Sequence, residues 1–259
     1  MSFLQAIVFG VVEGLTEFLP ISSTFHLIIT SRFLGLPQTD FFKLFGVAIQ
    51  SGAIISVLVL YGRDLWRDRA LLKNVGLSFI PTAIVGFVLY KVIKTFFFES
   101  AGLMTAAFII MGLVFLMVEG LITRGEIILE REAGSLTFCQ ALLIGLAQSL
   151  AVIPGISRAG AVMVFMMLLG YQRGEAARYS FLLAVPTILA ASAYDLWKMR
   201  DVVAASSGYS LLLVGWLAAL VSAYLVMRWF IRYLQSHTLL IFGWYRLVVG
   251  GVLIVVWLI

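Results

Sequence analysis

Apolar runs long enough to cross a membrane recur along almost the whole chain, and most charged residues fall in the short gaps between them. A helix needs about 20 consecutive apolar residues to span a bilayer, because its backbone must satisfy its own polar groups there. Residues 41–62, 75–95, 102–122, 179–198, 209–231 and 239–259 read as such spans. Composition agrees: 62% of the 259 residues are hydrophobic and 12% are charged, against about 25% charged in an ordinary soluble domain. A single membrane domain, 1–259, is expected, since no linker-like stretch divides the chain.

The net charge of +5 does not imply nucleic acid, and none is expected as a partner. The basic residues sit in the loops, where they set topology and meet anionic head groups. The lone cysteine, Cys139, excludes a disulfide framework and reads as a buried thiol. MSFLQAIVFG lacks the positive region of a cleaved signal peptide, so the N-terminus is expected to stay. GRDLWRDR (62–69) and TRGEIILEREAGS (123–135) read as charged loops, Glu119 and Asp195 as interfacial. KTFFFES (94–100) reads as an aromatic anchor at the membrane surface.

Two further apolar stretches are interrupted. In the first, Pro20 ends a run covering residues 3–19, and a second short piece covers 21–35. Neither piece alone comfortably crosses, so the pair reads as a re-entrant hairpin. GLAQSLAVIPGISRAGAVMVFMMLLG (145–170) is a second such pair, broken at PGISRAG. An offset of 135 carries Gly10, Glu13, Leu15, Ile21, Ser22 and Gly35 onto Gly145, Gln148, Leu150, Ile156, Ser157 and Gly170. The expected fold is therefore all-α and polytopic, with six transmembrane helices and two re-entrant hairpins. Its inverted repeats would cover about 1–122 and 136–259. Three spans lie between the hairpins, so they enter from opposite faces and meet inside. Ten basic residues fall on one side and six on the other, which places the first hairpin and both termini outside the cytoplasm.

Where the tips meet, ionisable groups would lie at membrane depth, and such groups are by default functional. VVEGLTEFLPISSTFH (11–26) supplies Glu13 and Glu17 on one helix face, then Ser22, Ser23, Thr24 and His26. The second break supplies Gln148, Gly155, Ser157, Arg158 and Gly160. Arg158 suits phosphate oxygens, and glycines beside it let backbone N–H groups approach an anion. The two acids could hold a hard divalent cation, Mg²⁺ or Ca²⁺. A hydroxyl near a histidine is a nucleophile-and-base pairing. Together these are the parts phosphoryl transfer requires. Ser22, Ser23 or Thr24 is also expected to cap the helix after Pro20, and the acids could instead simply pair with Arg158. Gln50, Gln148 and Arg246 are polar groups in apolar runs that serve either the site or helix contacts. Gly208, Gly215, Gly243, Gly250 and Gly251 suit close helix contacts and leave a homodimer open.

VVEGLTEFLPISST-x-H and PGISR-x-G resemble the motifs of bacterial undecaprenyl pyrophosphate phosphatases of the bacitracin-resistance type. VAIQSGAI around Gln50, YSFLLAVPT (179–187) and Tyr245-Arg246 extend the resemblance along nearly the whole chain. It implies an integral enzyme of the bacterial plasma membrane that removes the terminal phosphate of a polyprenyl pyrophosphate carrier with a divalent metal. Glu13 and Glu17 then match the acidic motif that handles metal and pyrophosphate. Ser23 and His26 match the catalytic hydroxyl and imidazole, and Arg158 the arginine that grips pyrophosphate. Ser22, Thr24, Ser157, Gly155, Gly160, Gln50 and Gln148 would line the substrate. Two positions depart from the family pattern: Phe25 stands where glycine is usual, and Ala159 where serine is. A transporter or flippase of a phosphorylated lipid is the alternative, since inverted repeats with broken helices are transporter architecture. A relative that has lost its chemistry is a third reading, supported only by Phe25 and Ala159.

Overall fold

The computed structural model describes residues 1–37, 39–90, 100–205 and 208–258. Its helices are α1 (Phe3–Phe18), α2 (Ser23–Phe33), α3 (Asp40–Arg67), α4 (Arg69–Val88) and α5 (Ala101–Thr123). After a polar connection come α6 (Phe138–Ser149), α7 (Arg158–Leu168), α8 (Arg173–Lys198), α9 (Arg200–Ala205), α10 (Tyr209–Leu234) and α11 (Leu240–Leu258). Five of these, α3, α4, α5, α8 and α10, are long and apolar enough to cross a membrane. The protein is thus an all-helical, multi-pass membrane protein; no strand occurs among the described residues.

The two broken stretches are built alike from local sequence upward. Ser2 and Thr137 each cap the coming helix, and Gln5 and Gln140 reach back to close a capping box. The second pieces, α2 and α7, are offset by 135 at both ends, Ser23 to Arg158 and Phe33 to Leu168. Gly35 and Gly170 then take positive φ, 61° and 86°, beyond the two helix ends. The packing is also matched. At Gly10 on α1 a Cβ would lie 2.3 Å from the Gly215 carbonyl oxygen of α10. At Gly145 on α6 it would lie 2.1 Å from the Ser78 carbonyl oxygen of α4. Small residues let backbones meet where lipid offers no hydrophobic drive. So α1 lies on α10, α6 lies on α4, and α5 pairs with α11.

Several expectations from sequence need correction. The charged loop at 62–69 is helix: α3 runs to Arg67 and α4 starts at Arg69. Nothing after Gly62 breaks a helix until Asp68, whose side chain accepts the Leu71 N–H at 2.9 Å. α8 likewise begins at Arg173 rather than 179, because RGEAAR favours a helix. Glu119, near the end of α5, is buried within the protein rather than exposed. It is 1% exposed and pairs with Arg173, while its Oε1 accepts the Leu239 N–H at 2.7 Å. Cys139 is exposed on the first turn of α6, not buried. Gly215, Gly243 and Gly250 spend their close approaches within the chain, against Phe45, Leu116 and Ile109. The segment 94–99, with its phenylalanines, lies outside the described residues.

Candidate active site

The site forms where the two breaks meet, and each break turns on one strained residue. Ser22 has φ 69° and Ser157 has φ 73°, the two positive values among described non-glycine residues. Such conformers cost about 1–3 kcal/mol each and persist only where surrounding contacts enforce them. Ser157 caps α7 by accepting the Gly160 N–H at 3.2 Å. Ser22 makes no capping bond, so the cap expected from the first hydroxyl run is made only in the second break.

The strained turn at Ser22 swings Ser23 back over α1. Its hydroxyl donates to Glu17 Oε2 in a short hydrogen bond. The other oxygen, Oε1, accepts Arg158 Nη2 at 3.1 Å. Arg158 Nη1 in turn donates to the Ser180 carbonyl at 2.7 Å. A continuous Ser23–Glu17–Arg158 chain therefore joins the two broken pairs. One turn earlier on α1, Glu13 is 1% exposed and neither carboxylate oxygen has a partner. Arg158 Nε is likewise buried and unpartnered. An orphaned carboxylate within reach of a second acid and an arginine is poised for a ligand.

His26 is placed differently from the sequence expectation. Its Nδ1 donates to the Ser22 carbonyl at 2.8 Å, and Nε2 bonds the Tyr245 hydroxyl at 2.7 Å. The Ser23 hydroxyl thus faces Glu17 rather than the imidazole. Arg246, next to Tyr245, is 0% exposed and ties the breaks together. It donates to Pro20 at 2.8 Å, Gly155 at 2.9 Å and Ile156 at 3.2 Å, all backbone carbonyls.

A cavity of about 580 Å³ opens from this chain. Its polar end is walled by Glu17, Ser22, Ser23, Thr24, Ser157 and Arg158, with Gly155 and Gln50 beside them. It continues between α4 and α8 past Phe79, Phe87 and Ile188, and ends at Tyr90, Tyr194 and Asp195. Gln148 lines it too, with its amide nitrogen held by Thr82 at 2.8 Å and Thr187 at 3.1 Å. Glu13, His26 and Gly160 do not line it. Gly160 gives its N–H to Ser157, and a Cβ there would meet the Phe115 ring at 2.9 Å, so tight packing explains this glycine. Phe25 also points elsewhere: it stacks on Phe108 with centroids 3.9 Å apart.

Sequence reasoning missed Thr82, Thr187, Ser180 and the partnership of Tyr245 with His26. A signal for the first two was present. Pro-Thr occurs at 81–82 and again at 186–187, in two otherwise apolar helices, and both threonines meet Gln148.

The donor set can be tested against a divalent ion. Among the described residues no three His, Cys, Asp or Glu side chains cluster. Mg²⁺ commonly takes only one or two carboxylates and completes its shell with substrate phosphates and water. Glu13, with two free oxygens beside Glu17, fits that pattern.

A family model described as "Bacitracin resistance protein BacA" matches residues 6–252. The chain belongs to this family. An undecaprenyl-diphosphatase of Aquifex aeolicus is 41% identical over 240 residues, 91% of either chain. One from Thermus thermophilus is 44% identical over 237 residues, 90% of this chain and 89% of its own. One from Persephonella marina is 44% identical over 234 residues, 90% of this chain and 91% of its own. Both breaks, and so every residue of the Ser23–Glu17–Arg158 chain, fall inside the stretch that matches the BacA family.

Proposed function

We propose that the protein is a membrane phosphatase that hydrolyses undecaprenyl, or a similar polyprenyl, pyrophosphate to the monophosphate and inorganic phosphate, returning the lipid carrier to cell-wall synthesis. Its relatives are named for that activity. The observation that carries the reading here is the Ser23–Glu17–Arg158 chain at one end of a cavity that runs on past apolar side chains such as Phe79, Phe87 and Ile188. A pyrophosphate head fits the first and a prenyl chain the second.

The Ser23 hydroxyl attacks the terminal phosphorus while its proton passes to Glu17 Oε2, already its hydrogen-bond partner. The bond from that phosphorus to the bridging oxygen breaks, and the lipid leaves as monophosphate. Water then releases phosphate from Ser23 and the hydroxyl regains a proton. Arg158 holds the pyrophosphate, leaving Glu17 for the substrate's oxygens, and steadies charge as it moves to the leaving group. Glu13, with Glu17, would hold Mg²⁺ or Ca²⁺, and that ion neutralises charge on the phosphoryl oxygens when bound. Ser22, Thr24, Ser157 and the Gly155 turn shape the anion end, and Gln50 and Gln148 border the substrate. His26 orients the break through Ser22. Lipid transport alone would need the arginine but no serine bonded to a carboxylate.

The topology goes with this reading. α11 is taken as a sixth span and the pairs α1–α2 and α6–α7 as re-entrant hairpins, in one domain of inverted repeats over about 1–122 and 136–259. Support comes from the matched caps, breaks and close contacts at the offset of 135. The excess of basic residues puts the N-terminal ends of α4 and α8 in the cytoplasm. The cavity, which ends near the C-terminal ends of those helices, then opens toward the outer face of the plasma membrane.

The decisive experiment is phosphate release from undecaprenyl pyrophosphate by purified protein in detergent, with and without Mg²⁺ or Ca²⁺. Metal-dependent release by wild type, lost in Arg158→Ala and Ser23→Ala, is expected. A folded wild type that binds the lipid and releases no phosphate would overturn the proposal.

A further inference from the structure

The reaction cavity has a neighbour on the same two helices. The N-terminal ends of α4 and α8, at Arg69 to Leu71 and Glu175 to Leu182, line a second cavity of about 550 Å³. The end of α3, with Asp64 and Arg67, closes it. Consecutive residues of α8 serve the two. Tyr179 lines the second cavity and bonds Ser78 at 2.7 Å, while the next residue, Ser180, holds Arg158 of the first.

Formal charges in this lining balance, three arginines against three acids. What selects a ligand is therefore which groups are already bonded. All three carboxylates are engaged: Asp64 with Arg178 at 2.8 Å, Asp68 with the Leu71 N–H at 2.9 Å, and Glu175 with the Ala133 N–H at 3.1 Å. Of the three arginines, Arg178 alone is engaged, through that bond to Asp64. The side chains of Arg67 and Arg69, both exposed, make no ion pair or hydrogen bond among the described residues, and Arg178, though paired with Asp64 through Nη2, has its Nε without a partner. Free capacity is thus mainly that of guanidinium donors, whose planar fork matches phosphate oxygens. The 20-residue α4 starts at this spot, so its first-turn N–H groups and macrodipole add positive potential. Leu71 and Leu182 supply an apolar flank, and Trp66 beside Arg67 is 76% exposed, as at a membrane surface.

We infer that this second cavity binds a phosphate group, carried either by an anionic lipid head group or by free inorganic phosphate, at the ends of α4 and α8 away from the reaction cavity's mouth. The site is independent of the hydrolytic reading.

The test uses the full chain in detergent with Arg158→Gln, which removes the anion grip of the first cavity. Binding of radiolabelled inorganic phosphate is read by equilibrium dialysis, and that of short-chain phosphatidylglycerol by native mass spectrometry. Adding Arg67→Gln and Arg69→Gln together is expected to weaken binding about tenfold or more, since two charge-assisted contacts are lost. Arg63→Gln, an exposed arginine of α3 outside the lining, should leave it unchanged. Loss confined to phosphate identifies the free ion, and loss confined to the lipid identifies the head group. Absence of both, or equal weakening by Arg63→Gln, overturns the inference. In the background that keeps Arg158, phosphate release by the Arg67→Gln/Arg69→Gln protein should match wild type, which verifies its fold.

Discussion

Replacing Arg246 by methionine would remove four hydrogen bonds at once. One acceptor, Phe108, lies inside α5 and keeps its helical environment. The other three, Pro20, Gly155 and Ile156, lie in the breaks and accept no backbone N–H among the described residues. Each unmet buried acceptor costs about 1–3 kcal/mol, so three set a ceiling of about 3–9 kcal/mol. Against this stands relief: the guanidinium is buried with no carboxylate partner, between Phe108 and Phe115 at 4.7 and 5.3 Å. Its desolvation amounts to several kcal/mol. The net effect on stability should then be a few kcal/mol, small enough to leave folded protein. The effect on turnover should be larger in proportion. Untied, the Ser22 and Gly155 turns can drift, and a displacement of about 1 Å at reacting groups costs about 100-fold in rate. Thermal unfolding in detergent and steady-state phosphate release would be measured together. A kcat lowered about 100-fold with KM little changed is expected, and Arg246→Lys should recover part of it through its three donors. Near wild-type kcat in folded Arg246→Met would refute the reasoning, and so would complete failure to fold.

Ser23→Ala should abolish turnover while the lipid still binds through Arg158; turnover that survives would assign the attack to water. Arg173→Met should lower stability by about 3–5 kcal/mol, because Glu119 is left buried and unpaired. Adding Glu119→Met should restore most of that loss in the same melting assay. Gly155→Ala should cut activity sharply: φ is 104° there, and a Cβ would sit 2.3 Å from the Met104 carbonyl oxygen. Wild-type activity in this variant would show that the turn is free to shift. Tyr245→Phe keeps the ring stacked on His26 and removes only its 2.7 Å hydrogen bond. A kcat loss without a change in lipid binding is expected if that bond fixes the imidazole.

The two breaks and their shared offset could be read from sequence because they are local signals: proline, glycine and hydroxyl residues inside apolar runs. Glu13 and Glu17 on one face followed from helical spacing alone. What joins them to partners did not. Ser23 meets Glu17 through a positive-φ turn at Ser22, a conformation serine seldom adopts, so spacing pointed to the nearer His26 instead. Arg246 bonds Pro20, 226 positions away in sequence, and Glu119 meets Leu239 across 120. Such contacts depend on how the helices assemble. The hidden continuity of α3 had a different cause. Charge suggested a loop at 62–69, whereas the residues there are ordinary helix formers, and only Asp68 interrupts them.

The exchange of partners between α1 and α10, and between α6 and α4, has a consequence for biogenesis. α1 carries two buried acids, yet the helix it lies against ends at Leu234, some 216 residues after Phe18. At a synthesis rate of about 5–20 residues per second, α1 waits roughly 10–45 s for that partner. Arg158, the partner of Glu17, is itself made only partway through the wait, and until then a short helix bearing Glu13 and Glu17 has no apolar length to span with. Its natural refuge is the bilayer surface, with the Ser2 cap in water. Insertion of α1 would then be among the last events in assembly, after α10 is in place. Truncation before α10 should leave the N-terminal acids accessible to water-soluble reagents. The enzyme would thus gain its reactive centre and its final compact form in the same step.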